Sequence, residues 1–332
     1  MVNLPLANLA RRPEAGSILS LVLVVVFFVI FGGVQVDRFV AAASWVNLAG
    51  NLGIVALPVG LLMIAGELDI SIGAMIPAGA MTIAIVSGHY GLPIVVGIAA
   101  SLSIGVLVGL INGILTVRTS VPSLIVTLGT LIAMQGVTLS ASVFLTHSAG
   151  VSLSAPHWSK LLFGHLLSGG YQIIVLWWVV LTALYVFVIH YTRYGNWLFA
   201  MGGDKISARN AGIPTALMTI MLFVISSTSA SFVGMCGAIL FNSAQVSAGM
   251  TYIFNTVVSV VIGGVLLTGG FGSVIGIFFG ALTFAVIDQG IYFTDIDRNW
   301  SSMIIGIMLL LAVLMNNTFR NIAVNYSPRK KM

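Results

Sequence analysis

Only eight acidic residues occur in these 332, and two of them, Glu67 and Asp69, stand two positions apart in the apolar run AGELDISIG. A charged side chain at a bilayer centre costs about 2.5 to 3.5 kcal/mol, so both carboxylates must meet water or a partner. One use is in the wall of a transport path or an inner gate, accepting hydrogen bonds from hydroxyls or from Arg118. For Asp69 a structural role is the stronger reading, because an Asp ahead of Ile70-Ser71-Ile72-Gly73 can cap the next helix through its orphan backbone donors. A second polar constellation lies at 193–213, where Arg193, Asp204, Lys205 and Arg209 interrupt long apolar segments. There Tyr194, Trp197, Leu198 and Met201 share one helical face and the polar residues follow Gly202-Gly203, which predicts two short helices hinged at that pair. Within the apolar segments, Asn51, Asn112, Gln135, Asn242, Gln245, Asp288 and Gln289 are the hydrogen-bonding groups that a polyhydroxylated solute could meet. Interhelical hydrogen bonds, each worth about 0.6 kcal/mol, are the commoner use of such residues.

Bond-making chemistry is not written into the chain. It has no phosphate-cradling GxxxxGK[ST], no HExxH, no nucleophile elbow and no paired cysteines, so it is expected to bind no ATP, no metal and no cofactor of its own and to carry no catalytic residues. Its single cysteine, Cys236, lies in an apolar run and excludes an internal disulfide framework. The histidines at 89, 147, 157 and 165 fall in expected outer turns and read as solvated.

The elements that must position these residues are membrane spans. With 59% hydrophobic residues, 6% charged and a mean hydropathy of +1.12, the composition excludes a water-soluble globule, whose charged fraction is about 25%. The net charge of +5 forms no basic stripe, which argues against a nucleic-acid partner and for topology signals and lipid contacts. We read an all-α polytopic membrane protein of about ten helices, some broken or short. The predicted spans are 17–34, 46–65 with a kink at Pro58, 70–87 interrupted by Pro77 and Gly79, 94–117 and 123–145. A main external loop over 146–171 leads to a sixth span carrying Trp177, Trp178 and Tyr185. Spans over 217–240, 256–267, 274–291 and 302–314 follow, with 241–252 external and the eighth short for a crossing. The N-terminal Arg11-Arg12 and apolar run resemble a signal peptide, but the run is too long, and an uncleaved first helix is expected.

Charge sets the orientation. With both termini inside, Arg11, Arg12, Arg118, Arg193, Lys205, Arg209, Arg320, Arg329, Lys330 and Lys331 are cytoplasmic and Arg38, Lys160 and Arg298 external, ten against three. The expected organisation is thus one transmembrane domain over 1–332, with spans in 16–316, a cytoplasmic loop at 192–213 and a basic cytoplasmic tail at 317–332. A weak parallel repeat relates 61–73, LLMIAGELDISIG, to 266–276, LLTGGFGSVIG, each closing one span and opening the next.

The succession Gly195, Ala200, Gly202, Gly203, Ala208, Arg209, Gly212, Ile213 resembles the coupling loop of sugar-type ABC importer permeases, the family of the ribose, xylose and arabinose permeases. Gly66 to Gly73 resembles that family's Gly-Gly-Ile-Asp-Leu-Ser-Val-Gly signature. Gly109-Leu-Ile-Asn112-Gly113, Ile125-Val-Thr127-Leu128-Gly129-Thr130 and Gly269-Gly270-Phe-Gly272-Ser273 with Gly276 and Gly280 follow in the family's order, so the resemblance covers roughly 49–306. Three positions depart from it. Glu67 replaces the second glycine, and Asp204-Lys205 stands where the family usually has Asn then Glu. The resemblance implies a permease subunit in a bacterial inner membrane that forms the path for a small sugar or polyol. It further implies a second permease chain, identical or related, a cytoplasmic ATP-binding subunit carrying ATP and Mg²⁺, and a periplasmic or extracellular solute-binding protein. In that setting Gly195, Gly202, Gly203, Asp204, Ala208, Arg209 and Gly212 belong to the ATPase contact. Candidates for the path or gate are Glu67, Asp69, Asn51, Asn112, Gln135, Asp288 and Gln289. The competing class is an ion-coupled secondary transporter using Glu67 or Asp288 as its proton site.

Overall fold

A computed structural model describes residues 13–31, 43–293 and 298–300, with 303–304, 306–307, 310–311 and 314. Arg11, Arg12, Arg38 and the tail 317–332 lie outside them. The helices are α1 Pro13–Phe31, α2 Ser44–Ile64, α3 Ile72–Ile83 with a π-helical extension Ala84–His89, α4 Ile94–Arg118 and α5 Ser123–Thr146. They continue with α6 His157–Phe163, α7 Ile174–Tyr191, α8 Arg193–Gly203, α9 Lys205–Asn210, α10 Thr215–Phe241, α11 Met250–Ile262 and α12 Val274–Gly290.

Six of these, α2, α3 with its extension, α4, α5, α7 and α10, are long and apolar enough to cross a membrane. Three shorter apolar stretches lie in α1, α11 and α12. The protein is therefore a helical polytopic membrane protein; among the described residues six helices reach spanning length and three apolar ones are shorter, while most of the expected span 302–314 lies outside them. Pro58 and Pro77 sit inside α2 and α3 without ending either helix. In a packed bundle, neighbouring helices satisfy the carbonyl that each proline orphans, so proline is a weaker stop here than in water. The eighth predicted span begins as a helix at Met250, six residues earlier than predicted, because the polar 241–252 segment read as external. At 13 residues it spans about 20 Å, short of a bilayer's roughly 30 Å. The fold also holds one feature that an all-helical reading omits: β1 Gly150–Ser152 pairs antiparallel with β2 Ser243–Gln245, joining the segments 146–171 and 241–252.

Helices α2 and α3 are buried on nearly every side and form the axis of the bundle. Around them stand α4, α7, α10, α11 and α12, while α5 and α7 turn most of their apolar surface outward. Lipid offers no hydrophobic drive between helices, so close backbone packing carries the assembly. On α4, Gly105, Gly109 and Gly113 form a small-residue stripe facing the Cα atoms of Thr228, Val224 and Ile220 on α10. Across α3, a Cβ at Gly234 of α10 would overlap the Ile76 carbonyl oxygen. Overpacking costs about 1 to 3 kcal/mol, and a clash with backbone belongs at the top of that range. Gly234→Leu is expected to lower the melting temperature in detergent sharply, while Gly136→Leu on α5, with nothing within 4 Å, leaves it nearly unchanged. Equal melting of the two variants would refute the packing argument.

The connections segregate to two ends. One end gathers the turn 65–71, the basic stretch 192–213, the turn 263–273 and the start of α1, where Ser273 Oγ donates to Glu14. The other gathers 88–93, 146–173 and 242–249.

Candidate functional site

At the basic end, two short helices meet as predicted, with the break at Asp204, whose backbone is extended (φ −153°) directly after Gly202-Gly203. Thr192 caps α8, and Gly195 lets α8 fold back onto α7, since a Cβ there would overlap the Ile189 carbonyl oxygen. Leu198 and Met201 are buried, and Arg193 lies 4.9 Å over the Trp197 ring, sheathing the helix's aromatic side. Asp204 caps α9 by accepting from the Ser207 backbone N–H at 2.6 Å. That bond holds its carboxyl below the usual carboxylate range. The cap is therefore complete above an ordinary carboxylate pKa and is lost only as pH falls through the lowered value. Ala208 is buried against Met201 and Met218; Gly203, Arg209 and Gly212 are exposed, and Gly212 makes the closing turn at φ +86°.

Gly202 does something no local pattern indicated. It presses on the end of α2, where a Cβ would overlap the Ile64 carbonyl oxygen, and on Gly270 of the turn before α12. Gly270 N–H itself donates to Ile64 O at 2.8 Å, and Gly269 abuts Gly66. The two related segments 61–73 and 266–276 thus touch each other and the loop at one backbone junction. Beside it, Lys205 Nζ donates to Glu67 Oε1 at 2.5 Å. Two of the positions that depart from the family pattern face each other. Arg118, the other partner considered for Glu67 and Asp69, makes no ion pair with either. Sequence reasoning also passed over Ile206, which is 74% exposed on α9 and gives a polar knob one apolar contact point.

Asp69 is fully buried and acts as the structural reading required. Its Oδ1 accepts from the Ser71 backbone N–H (2.9 Å) and hydroxyl (2.6 Å) ahead of α3, and its Oδ2 accepts from Ser226 of α10 at 2.8 Å. Asn112 Nδ2 then donates to Ser71 Oγ at 2.9 Å, bringing α4 into the same network.

At the opposite end lies a cavity of about 310 Å³ whose polar wall includes Asn47, Asn51, His165, Gln172, Tyr252 and Gln289. Asn51 Nδ2 donates to Gln172 Oε1 and Asn47 O, both at 2.8 Å, while Asn47 Oδ1 accepts from Gln172 N–H. These amides tie the segment 146–173 to α2. Gln289 donates to neighbouring Asp288 at 2.9 Å. Of the intramembrane candidates, then, Asn51 and Gln289 share this cavity with Asp288 beside it, Asn112 joins Asp69 at the other end, and Gln135 stands apart on α5 against Met250. Cys236 also lines the cavity. No group of three potential metal ligands occurs among the described residues.

A bundle of apolar helices with a polar loop at one end and a polar cavity at the other is the architecture of a membrane transport subunit. The family described as "Branched-chain amino acid transport system / permease component" matches residues 41–313. The fructose import permease protein of Rhizobium meliloti is 30% identical over 326 residues, covering 95% of this chain and 88% of that one. The ribose import permease protein of Escherichia coli strain K12 is 27% identical over 266 residues, covering 80% and 81%. The autoinducer 2 import system permease protein of Enterobacter sp. strain 638 is 29% identical over 263 residues, covering 79% and 80%. The chain belongs to this family and is a permease subunit of an ATP-binding cassette importer. The ion-coupled alternative gains no support, and both acids it would use have partners: Lys205 for Glu67 and Gln289 for Asp288.

Proposed function

We propose that the chain, as a single permease domain, lines with a second permease chain the path for a small sugar or related polyol. The loop 192–213 docks on a cytoplasmic ATP-binding subunit, which holds the ATP and Mg²⁺; this chain binds neither. A periplasmic or extracellular solute-binding protein delivers solute to the end carrying the amide-lined cavity. Both termini face the cytoplasm of a bacterial cell, and lipid covers the outward faces of α5 and α7. The observation that carries this reading is the backbone junction of Gly202 with Ile64 and Gly270, which gives a knob outside the bundle a rigid hold on two inner turns. ATP bound to the partner then favours one access state by differential contact at the knob.

Co-purification from native membranes identifies the ATPase and the binding protein, and reconstitution of the set into liposomes tests the reading. ATP-dependent uptake of ribose or fructose that survives a protonophore is expected. Uptake driven by a proton gradient without the ATPase would overturn it, and uptake of leucine but of no sugar would overturn the solute class. Gln289→Leu removes one cavity amide. The loss of one hydrogen bond predicts a KM raised about tenfold with ATPase association intact. An unchanged KM for every sugar tested would take Gln289 out of the path.

A further inference from the structure

We propose that the Lys205–Glu67 ion pair is a strut by which the loop 192–213 moves the turn between α2 and α3. The inference rests on the reading of that loop as the ATPase-docking element and adds the route by which its displacement enters the bundle.

Helix α9 is lightly anchored. Ala208 is its buried side chain, and it packs on Met201 of α8 and Met218 of α10, away from the α2–α3 turn. The side-chain link from α9 to that turn is Lys205 to Glu67, at 2.5 Å. Glu67 is 12% exposed and Lys205 39%, so the lysine stem reaches inward and the pair is shielded on its carboxylate side. Removing the ammonium would leave a mostly covered carboxylate without its counter-charge.

From Glu67 inward, the turn is gripped by the bundle. Leu68 N–H donates to Ser123 Oγ at 3.1 Å and Ile70 N–H to Thr127 Oγ1 at 3.3 Å, both at the start of α5. Asp69 ties to Ser226 of α10, and Ser71 to Asn112 of α4. Gly66, at φ +84° with open space where a side chain would project, turns the chain between the rigid end of α2 and this gripped segment. A pull on Glu67, whose backbone N–H also donates to Leu62 O of α2 at 2.9 Å, is therefore delivered through the turn to four more helices: α3, α4, α5 and α10. Gly202 holds the end of α2 fixed on the other side of Gly66, so the loop carries both a fulcrum and a lever arm.

A charge swap tests the strut in the assembled importer, with its ATPase and solute-binding protein in liposomes. The readouts are solute moved per ATP hydrolysed and the amount of ATPase that co-purifies. Glu67→Lys and Lys205→Glu are each expected to lower the transport-to-hydrolysis ratio about fivefold, the coupling scale of a partly shielded pair, with ATPase association unchanged. The double variant E67K/K205E should return the ratio to within about twofold of the parent, the outcome that marks a direct pairwise interaction. Glu is favoured in the first turn of a helix, so Lys205→Glu does not unwind α9. Should Glu67→Lys fail to reach the membrane, Lys205→Gln gives the same comparison. A pair that serves only folding would lower the melting temperature and leave the ratio alone, which overturns the proposal. So would a double variant as poor as the worse single one. Loss of ATPase association in Lys205→Glu alone would mean that Lys205 contacts the ATPase itself; the strut then falls while the docking reading stands. Failure of the docking reading shows separately, as normal uptake after removal of 202–209.

Discussion

A variant lacking residues 202–209 is expected to take up no solute while remaining in the membrane at the parent's level. The deletion removes the end of α8, the Asp204 cap, all but the last residue of α9, the exposed Ile206, and the Gly202 contact with Ile64 and Gly270. It leaves α7 and α10 whole. Each is an apolar helix of at least 18 residues that satisfies its own backbone hydrogen bonds, so insertion does not depend on the connection between them. Met201, stripped of Ala208, keeps Met218 as a neighbour. What is lost is an element at this end that carries both exposed charge and the exposed aliphatic side chain of Ile206. Membrane content by immunoblot and uptake in the reconstituted set separate the two effects. Normal uptake would remove the loop from the mechanism, and absence from the membrane would show that it is needed for assembly instead.

Asp69→Ala is expected to have the second largest effect, and on stability rather than on solute preference. The substitution strips the acceptor from the Ser71 backbone N–H, the Ser71 hydroxyl and the Ser226 hydroxyl, all within a wholly buried site. A buried donor left unsatisfied costs about 1 to 3 kcal/mol, and these three share one carboxylate, so a loss on the order of 3 kcal/mol follows. Ser71, which also accepts from Asn112 of α4, loses its fixed partner ahead of α3 at the same time. Asp69→Asn keeps Oδ1 for Ser71 and forfeits only the Ser226 bond, so it should fall between alanine and the parent. Thermal unfolding in detergent checks the order. An alanine variant with the parent's stability and an altered solute range would move Asp69 from the scaffold into the path.

The two helices of the basic loop were legible because amphipathic spacing and a glycine pair are local signals, and Leu198 and Met201 duly face inward. Asp69 was legible as a local backbone acceptor for the same reason: it and the Ser71 N–H it accepts from are neighbours in the chain. Its second bond, to Ser226, was not, and neither was the π-helical end of α3 over Ala84–His89, which no residue preference marks. The paired strands 150–152 and 243–245 were hidden because three residues each are too few for an alternation to register. Proline misled in the other direction. Pro77 with Gly79 predicted an interruption, yet both lie within the continuous helix α3.

Hydropathy and charge add up residue by residue, so the chain alone determined a membrane location, the approximate place of most spans, the charge bias between their ends and the absence of any recognisable catalytic motif. Ordered motifs along its length likewise carried the family. The tertiary structure alone decided which polar groups meet. Glu67 and Lys205 are 138 positions apart, Asp69 and Ser226 157, and Asn51 and Gln172 121. In a bundle without a hydrophobic drive between helices, the close packing of glycine stripes sets where each helix stands, and that placement selects the partner of every buried carboxylate and amide.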